Sequence, residues 1–138
     1  MPILNLKVSA PRSASLSRTL SEGLVEATAR ILRKNPEITA VVIDYVSPED
    51  WIVGGRSLAE QKKASFWLDI KVADGTNTKD EKALYLAEVF AFMGRVLGSL
   101  HEESYVLVHE VPADAYGFGG LTQEHRYIAN KLRTALAA

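Results

Sequence analysis

Residues 66–72 read Phe66-Trp67-Leu68-Asp69-Ile70-Lys71-Val72, and their closing triplet Ile70-Lys71-Val72 echoes the Leu6-Lys7-Val8 that ends Ile3-Leu4-Asn5-Leu6-Lys7-Val8. Both runs alternate apolar and polar residues, the period of a strand with one buried face. Leu4, Leu6, Val8, Leu68, Ile70 and Val72 fall on one side, and Asn5, Lys7, Asp69 and Lys71 on the other. That second face is either solvated or the lining of a wet interface.

The pattern around each run is the same. After the first strand, Leu16, Leu20, Leu24, Ala27 and Ile31 form a helical stripe that Asn35-Pro36 ends. Thr39 to Val46 is β-branched and strand-like, and a Pro-bearing turn leads to Trp51-Ile52-Val53-Gly54-Gly55. After the second strand, Thr78-Lys79-Asp80-Glu81 fits a capping box, and Leu86, Phe90, Met93 and Leu97 take core spacing on the helix that follows. Gly98 stops that helix, Tyr105 to Val111 reads as a strand, and Tyr116-Gly117-Phe118-Gly119-Gly120 mirrors the Trp51 segment 65 residues later. Strand, helix, strand and glycine turn therefore occur twice in one order. The expected fold is α+β: a single domain over residues 1–138 of two β-α-β units (about 2–60 and 65–121), giving a four-stranded sheet with both helices on one face. Residues 122–138 form a short C-terminal helical tail whose Ile128, Leu132 and Leu136 pack on the domain or on a neighbouring subunit.

Composition narrows the function classes. Sixteen Lys and Arg against seventeen Asp and Glu leave a net charge of −1 with no basic block, which argues against a nucleic-acid partner. No apolar run is long enough to span a bilayer, no signal peptide is evident, and there are no cysteines, so a soluble cytoplasmic protein is expected. His101, His109 and His125 lack zinc-ligand spacing, and Gly117-Phe118-Gly119-Gly120 lacks the lysine and frame of a phosphate loop.

Pro2 carries the sharpest chemical reading. With Met1 removed, it becomes a secondary amine held at the head of a strand, and an α-amino group titrates close to neutrality. Burial or a nearby cation favours its neutral form, a base able to take a proton from carbon. Met-Pro is equally an ordinary way for a chain to begin.

Pro2, the junction Ala10-Pro11-Arg12-Ser13, the Trp51-Ile52-Val53-Gly54-Gly55 turn and the duplication together make the chain resemble the tautomerase superfamily. Its short, 4-oxalocrotonate-tautomerase-like members are single β-α-β units, and its longer members are fused pairs that form trimers. The resemblance implies a cofactor-independent isomerase and a homotrimer. Pro2 is the implied general base, moving a proton in a small 2-hydroxy-2-enoate or its keto form. Arg12 is the implied catalytic cation on the substrate carboxylate, a role for which a planar, permanently charged guanidinium is suited. Trp51 is an implied wall of the pocket, or else a core tryptophan beneath a hairpin. Tyr116, at Trp51's place in the second half, either closes a pocket from a neighbouring subunit or packs as an aromatic. Arg56 either supplies a second substrate-binding cation or is a solvated turn residue. The short enzymes' second arginine is replaced here by Ala40, while Phe66 and Thr76 stand where the second half would carry a proline and an arginine. Two alternatives share the fold: hydratase, dehalogenase or decarboxylase chemistry on a small unsaturated or keto acid, and a non-catalytic trimeric interaction protein.

Overall fold

A computed structural model describes residues 2–137. Met1, on whose removal a proline base depends, and Ala138 lie outside the described residues. The first unit runs through β1 (Ile3–Val8), α1 (Ala14–Leu32), β2 (Ala40–Tyr45), the hairpin of β3 (Ile52–Val53) and β4 (Arg56–Ser57), and the single turn α2 (Leu58–Gln61). The second runs through β5 (Phe66–Ala73), α3 (Lys79–Leu97), β6 (Tyr105–Val111), the hairpin of β7 (Gly117–Phe118) and β8 (Leu121–Thr122), and α4 (Gln123–Ala137).

The sheet order is β2-β1-β5-β6. Each unit pairs its own two strands in parallel, Ile3 opposite Ala40 and Trp67 opposite Tyr105. The units join antiparallel through β1 and β5, Ile3 opposite Lys71 and Val8 opposite Phe66. This antiparallel join places a pseudo-twofold axis between the central strands. The alternation resolves as expected, since Leu4, Leu6, Val8, Leu68, Ile70 and Val72 are buried against α1 and α3 in one core. At about 25 cal/mol per Å² of apolar surface removed from water, that shared face is the main stabilising term.

Local chemistry ends each element. Ser13 caps α1 by accepting from the Leu16 N–H, and Thr78 and Glu81 exchange both bonds of the capping box on α3. Gly98, at φ 73°, terminates α3. In both hairpins the paired glycines have positive φ, 63° and 79° at Gly54-Gly55 and 60° and 81° at Gly119-Gly120, as a tight two-residue turn between twisted strands requires.

One expectation is corrected and a second is narrowed. The buried row of α3 is Tyr85, Val89 and Met93, while Leu86 and Phe90 remain 39% and 38% exposed. Two apolar rows one residue apart are equivalent by spacing. The chosen row seats the Tyr85 hydroxyl 2.8 Å from Thr28 Oγ1, and the Thr28 hydroxyl donates to the Leu24 carbonyl at 2.7 Å. Burial pushes the Tyr85 phenol up to about 12, so it stays neutral in the core. The tail is indeed a helix, but Ile128, Leu132 and Leu136 are exposed in the single chain. It is held through Arg126 instead, whose guanidinium donates to the Phe118 carbonyl at 3.0 Å and lies 3.9 Å over the Phe118 ring.

Candidate active site at the head of the first strand

Pro2 is buried at the start of β1, where its carbonyl accepts the Ala40 N–H at 3.1 Å and is thereby tied to β2. It lines a cavity of about 400 Å³ with Ile3, Glu37, Ile38, Thr39 and Ala40, and the Tyr116, Gly117 and Phe118 segment of the second unit. The sheet order explains this meeting. Because β1 and β5 run antiparallel and β6 is parallel to β5, the chain leaving β6 emerges beside the head of β1. The Tyr116 hydroxyl donates to the Lys71 carbonyl at 2.9 Å, fixing the ring, and burial holds its phenol above the ordinary value against an opposing contribution from the Ile3 backbone. Tyr116 thus closes a pocket of its own chain.

Gly117 is demanded by the hairpin. A Cβ there would stand 2.1 Å from the Leu121 carbonyl oxygen. The Arg126 clamp on Phe118 secures the same wall from α4, although its Nε is buried without a partner.

The other expected residues lie elsewhere in the single chain. Arg12 follows the opposite end of β1, exposed beside Tyr45, Ser47 and Pro48, and the strand from Pro2 to its end at Val8 spans roughly 20 Å over six extended steps. Its loop is braced by Tyr45, whose hydroxyl donates to the Ser13 carbonyl at 3.0 Å and lies 2.7 Å from Ser17 Oγ. Trp51 lines a different cavity of about 300 Å³, with Lys7, Val46, Asp50, Ile52, Trp67 and Tyr105. Arg56 is exposed on the first hairpin, 3.6 Å from Glu60. Reading the sequence missed Glu37, Phe118 and Arg126. Asn35-Pro36 marked the turn that presents Glu37, but no signal in the sequence pointed it at Pro2. Among the described residues no three His, Asp or Glu side chains converge as metal ligands, and no helix is long and apolar enough to cross a membrane.

A largely apolar cavity lined by a proline, a neutral phenol and a glutamate can bind a small organic molecule and move a proton on it. The tautomerase enzyme family matches residues 2–61 and again residues 67–126, so the chain belongs to that family as a fused two-repeat member. Tautomerase-type activity is the function that membership supports. The chain is similar to a curated relative, the probable tautomerase K2 of Dickeya dadantii (strain 3937), 31% identical over 64 residues that cover 46% of this chain and 96% of the relative. Among solved structures, the R7 fused 4-OT wild type asymmetric trimer superposes with a TM-score of 0.78 at 18% identity, covering 91% of this chain and 98% of that one. A native fused 4-OT gives 0.74 at 21% identity over 89% and 97%. The macrophage migration inhibitory factor of Toxoplasma gondii gives 0.71 at 15% identity over 87% and 98%.

Proposed function

We propose that the protein is a cofactor-independent keto–enol tautomerase of a small 2-hydroxy-2-enoate, with Pro2 as the general base and acid. The observation that carries this reading is the burial of Pro2 beside an open-mouthed, mostly apolar cavity at the head of β1. An amine there is favoured in its neutral form, and a proton taken from carbon leaves an enolate on the substrate's own carbonyl. The Tyr116 phenol lines the same cavity and would meet such an oxygen by turning its proton from the Lys71 carbonyl. The cavity holds no cation from its own chain among its lining residues. In this reading a neighbouring copy in a homotrimer presents Arg12 to the substrate carboxylate, in keeping with the trimeric assembly of the similar fused 4-OT structure. Trp51 and Arg56 take part only if the same assembly brings them to this cavity.

The test is ketonisation of phenylenolpyruvate and 2-hydroxymuconate, followed by ultraviolet absorbance across pH in protein whose loss of Met1 is verified by intact mass. Pro2→Ala is expected to cost on the order of a hundredfold or more in kcat, the range of general acid–base catalysis. Tyr116→Phe is expected to cost less. Absence of any rate above buffer in the processed, folded protein refutes the reading and leaves a non-catalytic trimer. Glu37 in the cavity favours a second chemistry, because a carboxylate can activate water: hydration of a small acrylate, detected as a new hydroxyl-bearing product by NMR and lost in Glu37→Gln.

A further inference from the structure

The cavity that contains Trp51 is the pseudo-twofold counterpart of the Pro2 cavity. Ile3 and Ala40, paired on β1 and β2, correspond to Trp67 and Tyr105, paired on β5 and β6. Tyr116 and Gly117 correspond to Trp51 and Ile52, and equivalent backbone bonds close the two hairpins, Gln123 N–H to the Tyr116 carbonyl at 2.8 Å and Leu58 N–H to the Trp51 carbonyl at 2.9 Å. At the head of β5, Phe66 replaces the proline, and Thr76 replaces the arginine of the junction after the strand. The duplicated site therefore lacks that base and that guanidinium, yet it has a cavity of about 300 Å³, with aromatic Trp67 and Tyr105 where the first cavity has Ile3 and Ala40, and Trp51 in the place of Tyr116.

The lining carries two charged side chains, Lys7 and Asp50. Lys7 is neutralised by Asp44 at 3.1 Å, while Asp50 lines the cavity without an opposing cation in its lining once that pair is made. The Trp67 indole N–H donates to Asp69 Oδ1 at 3.1 Å, and the Tyr105 hydroxyl donates to Glu103. A carboxylate on an N–H or O–H donor pushes electron density into the ring, which strengthens attraction of a cation to its face. His109 Nε2 lies 3.1 Å from the same Asp69 oxygen, so that carboxylate joins the indole N–H to the imidazole behind the aromatic wall.

We propose that this second cavity is a binding site for a small organic cation, of the alkylammonium or protonated-amine class, separate from the proton-transfer site. The chain's two tryptophans, Trp51 and Trp67, both line it, so intrinsic tryptophan fluorescence reports on this cavity directly.

The test titrates the full chain with benzyltrimethylammonium and, in parallel, with benzyl alcohol and benzoate. The expected result is saturable quenching by the cation, with at least tenfold weaker binding of the other two. Trp51→Leu is expected to weaken the cation about tenfold, a loss within the range for desolvated cation–aromatic contacts. Tyr105→Leu, which keeps both reporters, is expected to weaken it about threefold to tenfold, and Pro2→Ala to leave it unchanged. Circular dichroism checks that each variant is folded, and Tyr105→Leu decides the matter if Trp51→Leu is not. Benzoate or benzyl alcohol binding as tightly as the cation, a silent titration with all three probes, or an affinity untouched by the aromatic variants would overturn the proposal.

Discussion

Replacing Gly117 with alanine tests whether the β7–β8 hairpin is a wall of the Pro2 cavity. The added methyl carbon would lie 2.1 Å from the Leu121 carbonyl oxygen, 2.9 Å from the Leu121 carbonyl carbon and 2.9 Å from Thr122 Cα. Carbon–oxygen contacts close at about 3.3 Å, so the two strands must separate by roughly 1 Å. Overpacking of this kind costs about 1–3 kcal/mol, and the obstructing atoms are backbone, which cannot swing aside. Against it stand the hydrogen bonds of a two-residue ladder and the Arg126 and Tyr116 side-chain bonds, each worth about 1 kcal/mol net, in a ribbon that is marginal by itself. The hairpin therefore yields before the core does, carrying Phe118 and Tyr116 away from Pro2. Urea unfolding is expected to show a loss of no more than about 2 kcal/mol. The same 1 Å displacement beside the reacting atoms is expected to lower kcat/KM by ten- to a hundredfold in the ketonisation assay, since misplacement on that scale is costly to a positioned reaction. Unchanged kcat/KM in a variant whose hairpin resonances have moved would refute the claim that this wall shapes the cavity.

Gly23 poses a different contest, because the end of the Phe92 ring on α3 lies 2.1 Å from where its Cβ would be. Gly23→Ala gains about 1 kcal/mol of helix propensity and loses about 1–3 to overpacking, so a net loss near 1 kcal/mol is expected in urea unfolding, reversing to a gain in a Phe92→Ala background. Stabilisation by Gly23→Ala alone would show that the ring moves freely. At the start of α3, the Glu81 carboxylate accepts the Thr78 N–H at 2.8 Å and lies 2.7 Å from Arg33. The Thr78 bond, foremost, holds its pKa below the ordinary glutamate value. A depressed folded pKa stabilises above the unfolded value, about 4.3, and that contribution disappears as pH falls through the folded value. The difference in Tm between wild type and Glu81→Gln should therefore be constant near pH 6 and shrink toward zero in acid, and a difference that persists at pH 2 contradicts this.

The elements were legible where one local rule decided them. Leu4-Leu6-Val8 and Leu68-Ile70-Val72 could only alternate, Thr78 and Glu81 could only cap, and the Gly-Gly pairs could only turn. The face of α3 was not, because Leu86-Phe90 and Tyr85-Val89 are equally good rows until Thr28 offers the Tyr85 hydroxyl a partner. The composition of the candidate site was legible only in part. Pro2 and Tyr116 are 114 positions apart and meet because of strand order, which spacing along the chain does not encode. The same order sends Arg12 to the far end of the sheet and puts Trp51 in the other cavity. Arg126 escaped notice because a cation on an exposed helix is unremarkable until the Phe118 ring and carbonyl are found beneath it.

The antiparallel join of β1 to β5 has a genetic consequence. In an assembly of identical single units, any substitution is written into every copy of the site at once, so a change useful in one and harmful in another is not separable. Covalent linkage of the two halves removes that constraint. Phe66 can stand opposite Pro2's place, and Trp51 opposite Tyr116's, without either half paying for its partner's residue. Mutational libraries confined to residues 45–67 and 105 can therefore reshape one cavity while the codons of the other stay as they are.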